Sequence, residues 1–122
     1  MPLQFYNTIK RKKDKFDPIS KEMVKIYTCG PTVYDIAHIG NFRTFLFEDL
    51  LKRYLLFKGY NVYHVMNITD VDDKTIKRAK KNKKNFNKLT SKYADLFMKD
   101  LEFLNILPAD VYPKATDHID EM

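Results

Sequence analysis

The chain has 122 residues, 44% of them hydrophobic, with three glycines and one cysteine; that suffices for one domain with a modest core and is too apolar for a disordered tail. Its formal charge of +6 leans toward a polyanionic partner without naming one. The lone cysteine excludes an internal disulfide framework, the opening MPLQFYNTIK lacks the apolar core of a signal peptide, and no apolar run approaches the roughly 18 residues of a membrane helix, so a soluble cytoplasmic protein with no membrane partner is expected.

In chain order, residues 3–6 suit a short strand, and the KRKKDK run at 10–15 suits a turn or exposed hairpin. The first strong strand pattern covers 24–29 and stops at Gly30-Pro31. From Gly40 or Asn41 the period changes to three and four: Phe42, Phe45, Leu46, Asp49, Leu50, Arg53, Tyr54 and Phe57, widened by Phe47, Leu51 and Leu55. So broad an apolar stripe predicts a helix packed on a sheet and largely buried. Gly59 follows as a residue able to take positive φ. Residues 60–68 are apolar on both faces, as in an inner parallel strand. Strand, loop, long helix and strand make a βαβ unit.

Asp70 is placed to cap a helix over 71–81, with Asp73 at the capping-box spacing. Lys74, Lys77, Arg78, Lys80, Lys81, Lys83, Lys84 and Lys88 form the most basic stretch, a solvated face or a contact for a polyanion. Asn82, Asn85 and Asn87 weaken helix propensity, predicting a poorly ordered hinge over 82–88. A further helix is expected from Thr90 or Ser91, with Tyr93, Phe97, Leu101 and Leu104 on one stripe, ending before Pro108. Residues 109–122 read as irregular, with Thr116 able to cap a new turn.

Chemistry concentrates in residues 29–41, CGPTVYDIAHIGN. This stretch lies between a strand end and a helix start, where open α/β sheets bind ligands and helix amino termini suit phosphate. His38 is placed either to donate hydrogen bonds to phosphate oxygens or to fix the loop. Gly40 would let the backbone approach a nucleotide. Cys29 reads as a metal ligand, a nucleophile or a plain buried thiol. No familiar spacing completes a zinc site with His38, His64 and His118. The second strand leads into NITDVDDK at 67–74, which places Thr69 and Asp70 beside the first loop, for substrate binding or, for Asp70, helix capping. His64 reads as a core histidine and His118 as a structural one.

Three ordered blocks carry a resemblance: YTCGPTVYDIAHIGNFRTFLFEDLLKRYL, NITDVDDKTIKRA and LNILPADVYPKATDHIDEM. They resemble the class I cysteinyl-tRNA synthetases over nearly the whole chain, which matches about the first quarter of a typical member. The resemblance implies a partial, truncated α/β Rossmann-like catalytic domain with a parallel sheet core, occupying residues 1–122. It implies a monomeric parent whose substrates are L-cysteine, ATP and the tRNA for cysteine, joined through cysteinyl-adenylate. By motif, His38, Gly40 and Asn41 match the HIGH-type nucleotide signature, Asn41 replacing the final histidine as is common in the family. Gly30 and Thr32 match residues lining the adenylate pocket, Thr69 the threonine near the amino-acid moiety, and Asp70 its neighbour. Cys29 matches the first of four zinc ligands, the others lying beyond residue 122. The KMSKS-type loop is absent, so the isolated chain is expected to be inactive. Two alternatives stand beside this reading: an ATP-dependent cysteine–amino-sugar ligase of mycothiol biosynthesis, and a non-catalytic nucleotide- or RNA-binding module.

Overall fold

The computed structural model describes residues 2–81 and 85–121. Two strands, β1 (Gln4–Asn7) and β2 (Lys12–Lys15), form an antiparallel hairpin, so the basic run at 10–15 opens in the turn and continues as strand. Arg11 takes a φ of 52° in the turn. Phe16 docks the hairpin, meeting Phe5 edge-on at 5.2 Å and Tyr60 at 5.8 Å between ring centres.

The βαβ unit follows as β3 (Val24–Thr28), α1 (Ile39–Phe57) and β4 (Val62–Met66). β3 and β4 pair in parallel, from Val24 opposite Val62 to Thr28 opposite Met66. Parallel pairing needs a long crossover, and α1 supplies it. Gly59 leaves the helix at a φ of 83°, the positive-φ exit expected of it.

Residues 110–115 are not irregular. They run alongside β4 through parallel bridges, Val65 to Val111 and Ile68 to Lys114. The Met66 amide donates to the Val111 carbonyl at 3.0 Å and the Ile68 amide to that of Pro113 at 2.8 Å. Pro113 and the lack of alternation hide this third strand-like line, whose pairing is non-local. Charged groups of α1 hold the loop leading to it. Asp49 accepts from the Leu107 amide at 2.9 Å, Arg53 donates to the Asn105 carbonyl at 2.6 Å, and the buried Lys52 donates to the Pro108 carbonyl at 2.7 Å.

Helix α2 (Asp73–Lys81) is capped by Asp72 rather than Asp70. Asp72 Oδ1 accepts from the amides of Lys74 and Thr75, while the Thr75 hydroxyl accepts from the Asp72 amide at 2.8 Å. The Asp70 carboxylate is engaged elsewhere, by Thr116, 46 residues away. Helix α3 (Phe86–Phe103) starts four residues before Thr90 because Asn85 caps it; asparagine weakens a helix interior but favours an amino cap. Of the expected 82–88 hinge, residues 82–84 lie outside the described residues, and 85–88 form the cap and first turn of α3. Thr116 falls inside a short 3-10 helix (Ala115–His118) and does not cap it.

The core lies between α1, α3 and one face of the sheet: Val33, Phe42, Phe45, Met66, Ile68, Phe97, Leu101, Ile106 and Ala109. Phe97 is its hub, 4.9 Å from the Phe45 ring and 6.0 Å from that of Phe42. The expectation of a largely buried α1 is corrected. Phe42, Phe45, Lys52 and Leu55 are buried, but Ile39, Phe47, Leu50 and Phe57 face solvent, because α1 meets the sheet and α3 along one side only. Phe97→Ala should lower the unfolding free energy by about 3–5 kcal/mol, and Gly59→Ala by about 1 kcal/mol through the left-handed backbone. Denaturant titration reads both, and a cost for Phe97→Ala below that for Gly59→Ala would contradict this account of the core.

Candidate functional site

Cys29 and Asn67 are the first residues past the paired strand ends, Thr28 and Met66. The two segments run there almost in contact. A Cβ on Gly30 would lie 1.8 Å from the Asn67 carbonyl oxygen, so no other residue fits without moving the backbone. Beyond this close approach the segments pair again: Thr32 bridges Thr69 in parallel, the Val33 amide donates to the Thr69 carbonyl at 3.1 Å, and the Thr69 amide donates to that of Pro31 at 3.0 Å. The Asn67 side chain ties the two together, accepting from the Tyr27 hydroxyl at 3.1 Å and the Gly30 amide at 3.3 Å and donating to the Thr69 hydroxyl at 3.0 Å.

The first loop then wraps a cavity of about 320 Å³. Cys29, Gly30, Thr32, His38 and Asn41 line it together, with Tyr34, Asp35, Thr44 and Lys74. The thiol of Cys29 is exposed. His38 is the amino cap of α1: its Nδ1 accepts from the Gly40 amide at 3.1 Å, and Asn41 Oδ1 accepts from the His38 amide at 3.0 Å. With Nδ1 occupied as an acceptor, a neutral His38 carries its proton on Nε2, free to donate to a bound group. A Cβ on Gly40 would sit 2.9 Å from His38 Cε1, so what Gly40 makes room for here is the histidine ring.

Gly40, Thr69 and Asp70 do not line this cavity. Thr69 lies behind it in the bridge to Thr32. Asp70 is buried and accepts from the Thr116 hydroxyl at 2.6 Å and amide at 3.0 Å; it borders a second, polar cavity with Lys114 and Asn87. Among the described residues no group of three His, Cys, Asp or Glu side chains is arranged to hold a metal ion. Cys29 therefore offers one soft ligand, and these residues alone do not build a zinc centre.

Three features escape sequence reading. Asn67 sits opposite Cys29 in the strand register, which is the signal that points to it. Lys74 joins the cavity wall although its motif reads as a helix start. Asp35 is held by Arg78 at 2.7 Å across 43 residues. Beneath the site, the Thr28 hydroxyl lies 2.9 Å from His64 Nε2. His64 Nδ1 and Glu48 Oε2 are buried without partners among the described residues. Burial pushes the His64 pKa below its ordinary 6.5, with the Lys52 charge adding to the effect and Asp110 opposing it. Burial pushes Glu48 above its ordinary 4.5, opposed by the Thr28 hydroxyl.

A ligand cavity at the carboxyl ends of parallel strands in an α/β domain is the class this geometry defines. The chain belongs to the family described as tRNA synthetases class I (C) catalytic domain, whose model matches residues 15–122. Its α/β fold with a parallel strand pair is thus a Rossmann-like catalytic fold. The chain is 60% identical over its whole length to the cysteine–tRNA ligase of Chlamydia trachomatis serovar D and 51% identical to that of Protochlamydia amoebophila, spanning 25% and 26% of those proteins. That of Chlamydia muridarum is 60% identical, again over all 122 residues. The chain thus spans about a quarter of the length of the curated relatives it matches. No helix among the described residues is long and apolar enough to cross a membrane.

Two measurements test the site's framework. Gly30→Ala should push the two segments apart and lower the thermal midpoint more than Gly40→Ala, which displaces only a ring. His64 takes up a proton less readily folded than unfolded, so the unfolded chain binds more protons and stability rises with pH. The contribution is present above about pH 6.5 and is lost as pH falls below it. His64→Gln should flatten that slope in thermal midpoints; an unchanged slope would remove His64 as its source.

Proposed function

We propose that the gene product carrying this chain is a cysteine–tRNA ligase and that the cavity between Cys29 and His38 takes the cysteinyl-adenylate. The observation that carries this reading is the convergence of Cys29, His38 and Asn41 on one cavity at the strand ends. The names of relatives up to 60% identical support it.

In the first step a carboxylate oxygen of L-cysteine attacks the α-phosphorus of ATP. The bond from that phosphorus to the oxygen bridging to the β-phosphorus breaks, and pyrophosphate leaves with the electron pair. In the second, a terminal hydroxyl of the tRNA attacks the acyl carbon and AMP leaves. Neither step needs a covalent enzyme intermediate; both need positioning and charge stabilisation. The Nε2–H of His38 is the donor to phosphate oxygens as charge builds on them. Asn41 is a positioning residue, holding the His38 backbone through its own Oδ1. Gly30 and Thr32 form the floor of the pocket. Thr69 supports it from behind, while Asp70, held by Thr116, borders the neighbouring cavity and steadies the segment beyond Thr69.

Cysteine must be told from serine, and a pocket sized by a methylene discriminates by only about 1–3 kcal/mol. A thiolate on zinc is a difference a hydroxyl imitates poorly. In this reading Cys29 is one ligand of such a centre and the remaining ligands come from outside the chain. The enzyme acts as a monomer in the cytoplasm.

The test is cysteine-dependent exchange of label between pyrophosphate and ATP by the gene product. Exchange that ignores cysteine, or runs equally with serine, overturns the reading. His38→Ala should lower the exchange rate by about 10²–10³. Purified residues 1–122 should show no exchange.

A further inference from the structure

The walls of the cavity between Cys29 and His38 carry one carboxylate, Asp35, and one lysine, Lys74. The two do not neutralise each other. Asp35 is held by Arg78 at 2.7 Å. Lys74 has no carboxylate within 4.0 Å among the described residues, and its Nζ stands 5.6 Å from the centre of the Tyr34 ring. An aromatic face holds an ammonium group without using its N–H donors, so three donors remain for something in the cavity.

Its place on the helix sharpens the point. Lys74 is the second residue of α2. The first turn carries the positive end of the helix dipole, where a cation is disfavoured. The other basic residues of α2 lie nearer its carboxyl end; Arg78, Lys80 and Lys81 occupy the last turn, where the dipole welcomes them. Helix stability therefore does not account for a lysine at position 74. An anion between the α1 and α2 amino ends does.

We propose that Lys74 binds the β- and γ-phosphates of ATP, the part that departs as pyrophosphate. This rests on the adenylation reading above and adds to it a residue to which the motif reading gives no role. His38 reaches the cavity from the first βα turn and Lys74 from the second. The histidine thus serves the α-phosphate and the lysine the leaving group. Lys74 then stabilises charge that grows as the phosphorus–oxygen bond breaks, and moves no proton.

The experiment titrates the full 122-residue chain with ATP, pyrophosphate, AMP and adenosine, following backbone amide signals by NMR. A charge-assisted hydrogen bond to phosphate is worth about tenfold in affinity or more. Lys74→Gln should weaken ATP and pyrophosphate by at least about tenfold and leave AMP and adenosine within about twofold. Lys74→Arg should restore most of the ATP affinity. Unchanged ATP affinity in Lys74→Gln, with binding still weakened by His38→Ala, overturns the role of the lysine and spares the nucleotide reading. Equal weakening of ATP and AMP in Lys74→Gln marks a structural loss and also overturns the lysine's role. Failure of the unchanged chain to bind either nucleotide overturns both.

Discussion

The contact on which the site depends is the near-collision of two backbones at Gly30 and Asn67. A single missing side chain lets the loop after β3 lie against the loop after β4, with 1.8 Å between a hypothetical Cβ and the Asn67 carbonyl oxygen. Parallel strands end on the same rim, and the loops leaving them would ordinarily diverge toward their own helices. Here they stay together, bridge again at Thr32 and Thr69, and only then separate. The first loop encloses the cavity from there on. Cys29, just before Gly30, and His38, where α1 begins, both line it, although nine positions separate them along the chain.

A second constraint runs through charged groups that look like surface. Asp49, Lys52 and Arg53 lie on α1 and reach the loop at 105–110. Asp70, four residues past β4, reaches Thr116. These ties bring a segment some fifty residues away in sequence alongside β4, and that segment covers the strand's second edge. Each tie satisfies backbone groups that a loop without regular structure would leave unpaired, which is worth more than the modest net value of an exposed ion pair. Lys52 also places a positive charge near His64, so the same strut that fixes the loop helps keep that imidazole neutral.

Much of this was legible before any coordinates. Local patterns announced the hairpin, the βαβ unit, the exit at Gly59 and the joint location of residues 29–41, because each rests on periodicity or on Gly and Pro within a few positions. What the patterns could not deliver was non-local. Asp70 has ideal cap spacing, yet its carboxylate goes to Thr116, and Asp72 caps instead. Asn85 reads as a helix breaker by propensity but works as a cap by position. Residues 110–115 lack alternation and contain Pro113, so their pairing with β4 left no local trace. The breadth of the apolar stripe on α1 was read correctly as a pattern; its meaning for burial was not, because periodicity reports which faces are apolar and cannot say what covers them. Lys74 stood in full view within a basic run, where charge alone does not distinguish a solvated lysine from one turned into a cavity.

The arrangement also divides the chemistry between the two βα turns. The first carries a soft sulfur and a ring nitrogen whose tautomer is set by the Gly40 amide. The second carries a hard cation steadied by an aromatic face. On the adenylation reading proposed above, the site has to meet two unlike demands: recognise a side chain by its softness and bear the charge of a leaving polyphosphate. A lysine on the first turn beside Cys29 would repel a bound metal ion and draw phosphate toward the amino-acid end. The chain sets the thiol and the lysine on successive turns instead, with Asp35 held by Arg78. The close contact of Gly30 and Asn67 ties the two turns to one rim, so the division of labour and the backbone contact are one design seen at two scales.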